Sequence, residues 1–245
     1  MKKKRSYLIT VLSVVLAALA LCASSCSIEF EKKQEAETVT ETEADTEAQS
    51  APVTPSDTLE GCLFIGDSRT EGLRVTNSLP GADVFSIVGL TVFDVTEREM
   101  VTGDGSSRSL DHFLSGGTYE KVYILLGINE ISADLDTVAG AYSELISLVR
   151  KSQPGAKIIV QANPHVASWR SSLGDSYNNG NVDLLNGKLF ALTDGEDVCW
   201  LDANPILIDT EGGLKAEYSE EDGIHPNRSC YTVWGEWIVS QNANF

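Results

Sequence analysis

Five short apolar runs recur along the chain, and each closes on a turn residue. They are Cys62-Leu63-Phe64-Ile65 before Gly66, Asp83 to Val88 before Gly89, and Lys121 to Leu126 before Gly127. Lys157 to Val160 precedes Asn163-Pro164, and Val198 to Leu201 precedes Asp202. None of the five alternates apolar with polar residues. Continuous apolar runs of this length suit strands covered on both faces, as in parallel sheets. Between them the period becomes helical. Leu135, Val138, Tyr142, Leu145, Ile146 and Val149 share one face of a helix that ends at Pro154-Gly155. Residues 182–192 predict a shorter helix. Cys230, Val233, Trp234, Trp237 and Ile238 mark a last one, with Asn227 as its N-cap. The two Trp fall on the buried stripe and are assigned to the core. Strand–helix alternation of this kind predicts a three-layer α/β/α sandwich around a mostly parallel five-stranded sheet, joined by right-handed crossovers. In such sheets ligands bind beyond the carboxyl ends of the strands.

The first 57 residues follow a different pattern. Lys2-Lys3-Lys4-Arg5 precedes an apolar stretch from Tyr7 to Leu21, then Ala23-Ser24-Ser25-Cys26. A basic segment followed by ~7–15 apolar residues is an export signal, and the stretch is short for a permanent span of ~20. Small residues before a Cys resemble a bacterial lipobox, so residues 1–25 are expected to be a lipoprotein signal, with Cys26 lipidated. Residues 26–57 are rich in Glu, Thr and Ala and poor in bulky apolar side chains. Such a segment cannot offset its ordering entropy, and is expected to be a disordered acidic tether. The folded domain is placed at 58–245.

The whole chain has 245 residues, 42% of them hydrophobic, enough for one core. Its 18 Lys and Arg against 36 Asp and Glu give a net charge of −18. Loss of the four leader cations would take the exported form to −22. This balance excludes nucleic acid, whose binding runs on cations that neutralise phosphates. Five Cys without a CxxC pair and three His give no metal signature. No phosphate loop or dinucleotide fingerprint occurs. Cys62, Cys199 and Cys230 are expected to be buried and unbridged.

The residues with chemistry follow the apolar runs. Gly66-Asp67-Ser68-Arg69 ends the first, and places a Ser at the start of a helix, where backbone N–H groups point outward. Gly127-Ile128-Asn129-Glu130 ends the third. Asp222-Gly223-Ile224-His225 sets a carboxylate three residues before an imidazole, across a Gly turn that can bring the two together. Each piece alone reads better as a cap, turn or loop residue than as a catalytic group. His112 sits in a predicted helix and is read as structural, and Asp67 as a turn stabiliser.

Taken in order, the pieces resemble the SGNH (GDSL-type) hydrolase family: GDS at 66–68, a Gly after the second strand at 89, G-x-N at 127–129, and D-x-x-H at 222–225. The resemblance covers about 58–240. One position departs from it, since Glu130 stands where the third block usually carries Asp. The family implies a flavodoxin-like sandwich and a cofactor-free serine esterase. Ser68 would be the nucleophile, His225 its base, and Asp222 the group that orients the imidazole. The oxyanion would be held by the N–H groups of Ser68 and Gly89 and by the Asn129 side chain. His165, Arg69 and Trp169 are candidate substrate contacts. Residues 163–181 form the longest candidate lid. They are mostly polar, with Trp169 and Tyr177 as isolated aromatics. Such a loop suits a small-molecule or glycan ester with a short acyl group. The expectation is thus a lipid-anchored extracellular esterase. An O-acyltransferase on a surface glycan, a lysophospholipase or lipase, and a catalytically decayed binding module stand as alternatives.

Overall fold

The computed structural model describes residues 58–245. The expected signal peptide, the lipidation site at Cys26 and the acidic tether lie outside the described residues. The elements run β1 (Cys62–Gly66), α1 (Ser68–Val75), β2 (Asp83–Ser86), β3 (Glu99–Val101), β4 (Ser107–Ser109), α2 (Leu110–Gly116), β5 (Lys121–Leu125), α3 (Leu135–Ser152), β6 (Lys157–Gln161), α4 (Ser168–Ser171), α5 (Asn179–Phe190), β7 (Val198–Leu201), α6 (Asn204–Leu207) and α7 (Arg228–Gln241). Short 3₁₀ turns occupy Ile128–Glu130 and Ala216–Tyr218.

Five strands form one sheet in the order β2-β1-β5-β6-β7, with every neighbour parallel. Setting aside the separate β3–β4 hairpin, this is the flavodoxin-like order 2-1-3-4-5. The chain leaves β1 in one direction and later returns to its other side. Right-handed crossovers in opposite directions put helices on opposite faces.

The apolar runs are continuous because both faces are covered. Leu63, Ile65, Val122, Ile124, Ile158 and Val160 pack on one side, against Val138, Tyr142 and Val149 of α3 and Val182, Leu185 and Leu189 of α5. Phe64, Tyr123, Leu125, Ile159 and Cys199 pack on the other, against Leu73 of α1 and Cys230, Trp234 and Ile238 of α7. Trp234 is the largest fully buried side chain. Truncating one of this size costs ~3–5 kcal/mol. Phe64 stacks on Tyr123 at 4.3 Å between ring centroids, tying β1 to β5. Cys62, Cys199 and Cys230 are buried and unbridged.

Two boundaries differ from the pattern. The second apolar run leaves the sheet at Ser86, because Ile87 to Leu90 close a turn through Leu90 N–H to Ile87 O at 3.0 Å. The helix expected at 182–192 begins three residues earlier, where Asn178 caps it by accepting from Asn181 N–H.

Candidate active site

Gly66 pairs with Ser86 on one side and Leu125 on the other, so the carboxyl ends of β2, β1 and β5 lie together. Ser68, Gly89 and Asn129 follow these three ends within a few residues. This is also where the strand order reverses, the usual crevice of such a sheet.

Ser68 is the first residue of α1. Asp67 is the N-cap, and its Oδ1 accepts from Arg69 N–H at 2.9 Å. The Ser68 N–H thus belongs to the first turn, whose donors have no partner inside the helix. Ser68 Oγ lies 3.1 Å from His225 Nε2. The other ring nitrogen, Nδ1, lies 2.6 Å from Asp222 Oδ2. Asp222 Oδ1 accepts from Ile224 N–H at 2.8 Å and His225 N–H at 2.9 Å, so one carboxylate shapes the turn and aims the ring. Partial burial works to raise the Asp222 pKa. The N–H groups of His225 and Ile224 and the imidazole outweigh it and hold the carboxylate below its ordinary range. The pair is open to solvent, His225 at 43% and Asp222 at 49% side-chain exposure.

The oxyanion candidates are joined through one loop. Asn129 Nδ2 donates to Leu90 O, next to Gly89, at 2.9 Å, and its second N–H is left for a ligand. Glu130, the departure from the family pattern, is buried beneath the same loop, and its Oε1 accepts from Val92 N–H. Its Oε2 has no hydrogen-bond partner. Burial pushes the Glu130 carboxyl up to about 7, with the Val92 N–H pulling it down and the nearby Asp67 pushing it up. The stability consequence has a definite sign. Between its ordinary value of 4.5 and about 7, the folded chain holds this proton and the unfolded chain does not. Stability therefore falls as pH rises through that window, by on the order of 3 kcal/mol. Glu130→Gln cannot ionise and should lose this slope. Thermal melts of both proteins at pH 5 and pH 8 check it, and identical pH slopes would refute it.

Two expected substrate contacts are corrected. Arg69 is fully buried at 0% exposure, and its Nη2 donates to Ile224 O at 3.2 Å. It faces the interior and ties α1 to the His225 loop. His165 has a 13% exposed side chain, with Nδ1 2.6 Å from Gly212 O and Nε2 2.8 Å from Asp183 Oδ1. Both nitrogens are engaged, and the ring joins α5 to the 209–213 turn. Trp169 behaves differently. A Cβ on Gly223 would lie 2.6 Å from its ring, so the indole rests on the backbone between Asp222 and His225 while staying 52% exposed. Ala167 N–H donates to Gly223 O at 2.8 Å at the same junction. Arg170 grips Asp175 at 2.9 and 2.7 Å and covers the Tyr177 ring, which pins the loop that carries Trp169. The 163–181 stretch is thus a braced rim containing the short helix α4. One contact escaped the sequence. Arg98 donates to Gly89 O at 3.0 Å, and its only signal was a lone cation in an acidic chain.

Residues 64–233 match the GDSL-like lipase/acylhydrolase family. No curated protein matches the chain in sequence. Among solved structures, it is similar to a putative platelet activating factor from Streptococcus pneumonia, with 21% identity over 78% of this chain and 86% of that one, and a TM-score of 0.62. It is similar to a GDSL-like lipase from Bacteroides thetaiotaomicron at 18% identity, covering 75% and 87% of the two chains, with a TM-score of 0.55. A family two carbohydrate esterase from Clostridium thermocellum shares 16% identity over 78% of this chain and 65% of that one, at a TM-score of 0.53. At these identities the likeness is one of fold.

Proposed function

As the chain belongs to the GDSL-like lipase/acylhydrolase family, we propose that it is a serine esterase that removes short acyl groups, acetyl above all, from a carbohydrate outside the cell. The observation that carries this is the line of contacts from Ser68 through His225 to Asp222. In the proposed cycle, His225 Nε2 takes the proton from Ser68 Oγ as that oxygen attacks the ester carbonyl. The oxyanion forms against the N–H groups of Ser68 and Gly89 and the free N–H of Asn129. His225 then protonates the departing alcohol, which leaves an acyl-Ser68. Water, deprotonated by the same ring, attacks the acyl carbon. Carboxylic acid leaves, and the proton returns to Ser68. Asp222 keeps Nδ1 protonated throughout and stabilises the imidazolium.

The acyl preference rests on the rim. The base and its carboxylate are open to water, and the large apolar side chains that the braced loop exposes are Trp169 and Leu173. A long acyl chain would forgo ~0.8 kcal/mol for each CH₂ left in water. An exposed indole beside the triad suits the apolar face of a sugar, and a carbohydrate esterase is among the proteins of similar fold. A p-nitrophenyl ester series should show activity falling from acetate or butyrate to longer chains. A maximum at decanoate or beyond would make the protein a lipase or lysophospholipase.

The same reading places the domain on a lipid anchor at Cys26, held off the membrane by the acidic segment. The basic and apolar leader ending in Ala-Ser-Ser-Cys supports it. In the native host, Cys26→Ala should leave the precursor unprocessed or free the protein from the membrane fraction. Mature protein that begins elsewhere and carries no lipid would end this part of the proposal.

A further inference from the structure

We infer that Arg98 is a positioning residue for the oxyanion hole, because it fixes the direction of the Gly89 N–H. The inference rests on the esterase reading above, in which that N–H is an oxyanion donor. Ile87 to Leu90 form a four-residue turn, closed by Leu90 N–H to Ile87 O. Gly89, its third residue, has φ 71°, and Val88 is not among the residues with positive φ. This is the type II pattern, and its central peptide is the one between Val88 and Gly89. Rotating that peptide by about half a turn gives a type I turn, which Gly accepts as readily. The peptide is planar and trans, so the Val88 carbonyl and the Gly89 N–H point in opposite directions. A flip would therefore swing the N–H away and present a carbonyl oxygen in its place, which repels an oxyanion.

The neighbours of this peptide are anchored by other groups. Ile87 N–H donates to Gly66 O at 3.2 Å. Leu90 O is held by Asn129, and Val92 N–H by buried Glu130. Thr91 N–H and Oγ1 donate to Asp94 Oδ1 at 2.8 and 2.6 Å. The Val88–Gly89 peptide lacks such an anchor. Its carbonyl accepts from Arg98 Nη2 at 3.4 Å, and the adjoining Gly89 carbonyl from Nη1 at 3.0 Å. The two N–H groups of one planar guanidinium span two successive carbonyls, a fork that a single ammonium cannot reproduce. Asp94 Oδ2, 3.7 Å from Nη1, keeps the fork in place. The Gly89 N–H itself donates to no protein acceptor among the described residues.

The test is Arg98→Met, which keeps the apolar stem and removes the donors, with Arg98→Lys, Asn129→Ala and Ser68→Ala beside it. Removing an oxyanion donor costs about 10²–10³ in kcat. A peptide freed to sample both orientations should lose part of that, so Arg98→Met is expected to lower kcat about 10- to 100-fold, with KM within about twofold. Arg98→Lys should recover part of the loss. The affinity for a trifluoromethyl ketone, which mimics the tetrahedral intermediate, should fall by the same factor as kcat/KM. Wild-type kcat in Arg98→Met, with Asn129→Ala down by 10² or more, overturns the inference and leaves the esterase reading intact. A change confined to KM overturns it too, since Arg98 would then bind ground-state ester. So does a loss in both Arg98 variants that tracks a lowered melting temperature. If Arg98→Met and Asn129→Ala are both fully active while Ser68→Ala is dead, the oxyanion assignment itself fails.

Discussion

Ser68→Ala should lower kcat by a factor on the order of 10⁴–10⁶ and leave the melting temperature close to that of the wild type. The loss follows from geometry. Oγ is the atom 3.1 Å from the imidazole, and no other hydroxyl is hydrogen-bonded to that ring among the described residues. The stability is expected to hold because Ser68 occupies the first position of α1, where the cap is supplied by Asp67 and Ala is a good helix former. His225→Ala should cost about as much, and the double variant little more than either, because the two residues act as one unit. Hydrolysis of p-nitrophenyl acetate by the three purified variants decides it. A Ser68→Ala protein that keeps more than a few per cent of the activity would mean that the ester is cleaved elsewhere. Additive losses in the double variant would mean that Ser68 and His225 work independently.

The main sheet was legible because its signal is local. A run buried on both faces is apolar at each position, and the residue that ends it must turn. The β3–β4 hairpin was not legible, since Met100 is its only buried residue and Ser107, Arg108 and Ser109 carry no apolar alternation. The early end of β2 was hidden because Ile87 and Val88 are good strand residues. There the turn that delivers Gly89 overrides their propensity.

The site divides in the same way. Asp222 and His225 are three residues apart, so their contact could be inferred from spacing alone. Ser68 and His225 are separated by 157 positions, and only the ordered blocks of the family brought them together. Burial was the weakest inference. Arginine is rarely enclosed, yet Arg69 is, because α1 turns its side chain towards the carbonyl of Ile224. His165 follows a strand end, as a substrate contact would, but its two acceptors come from positions 183 and 212, which spacing does not reveal.

Asp222→Asn should lower kcat by about 10⁴ with the fold unchanged. Asn has the shape of Asp, and its Oδ1 can keep the bonds from Ile224 N–H and His225 N–H that form the turn. With Oδ1 so committed, the amide NH₂ takes the place of Oδ2, 2.6 Å from His225 Nδ1. An N–H donor there requires a lone pair on Nδ1, which moves the ring proton to Nε2. Nε2 would then face Ser68 Oγ as a donor, with no lone pair to take the hydroxyl proton. Asp222→Ala separates this from a simple loss of charge. It removes the carboxylate without dictating a tautomer, and the half-exposed ring can bond to water instead. Steady-state rates and pH profiles of both variants make the comparison, with circular dichroism to check the fold. Asn should be the more damaging if tautomer control is what Asp222 contributes, and equal losses would assign its effect to the negative charge beside the imidazolium. An Asp222→Asn enzyme within tenfold of wild type would remove Asp222 from the mechanism. A markedly worse Asp222→Ala would assign its effect to the turn bonds from Ile224 N–H and His225 N–H that Asn keeps, since both variants lack the charge.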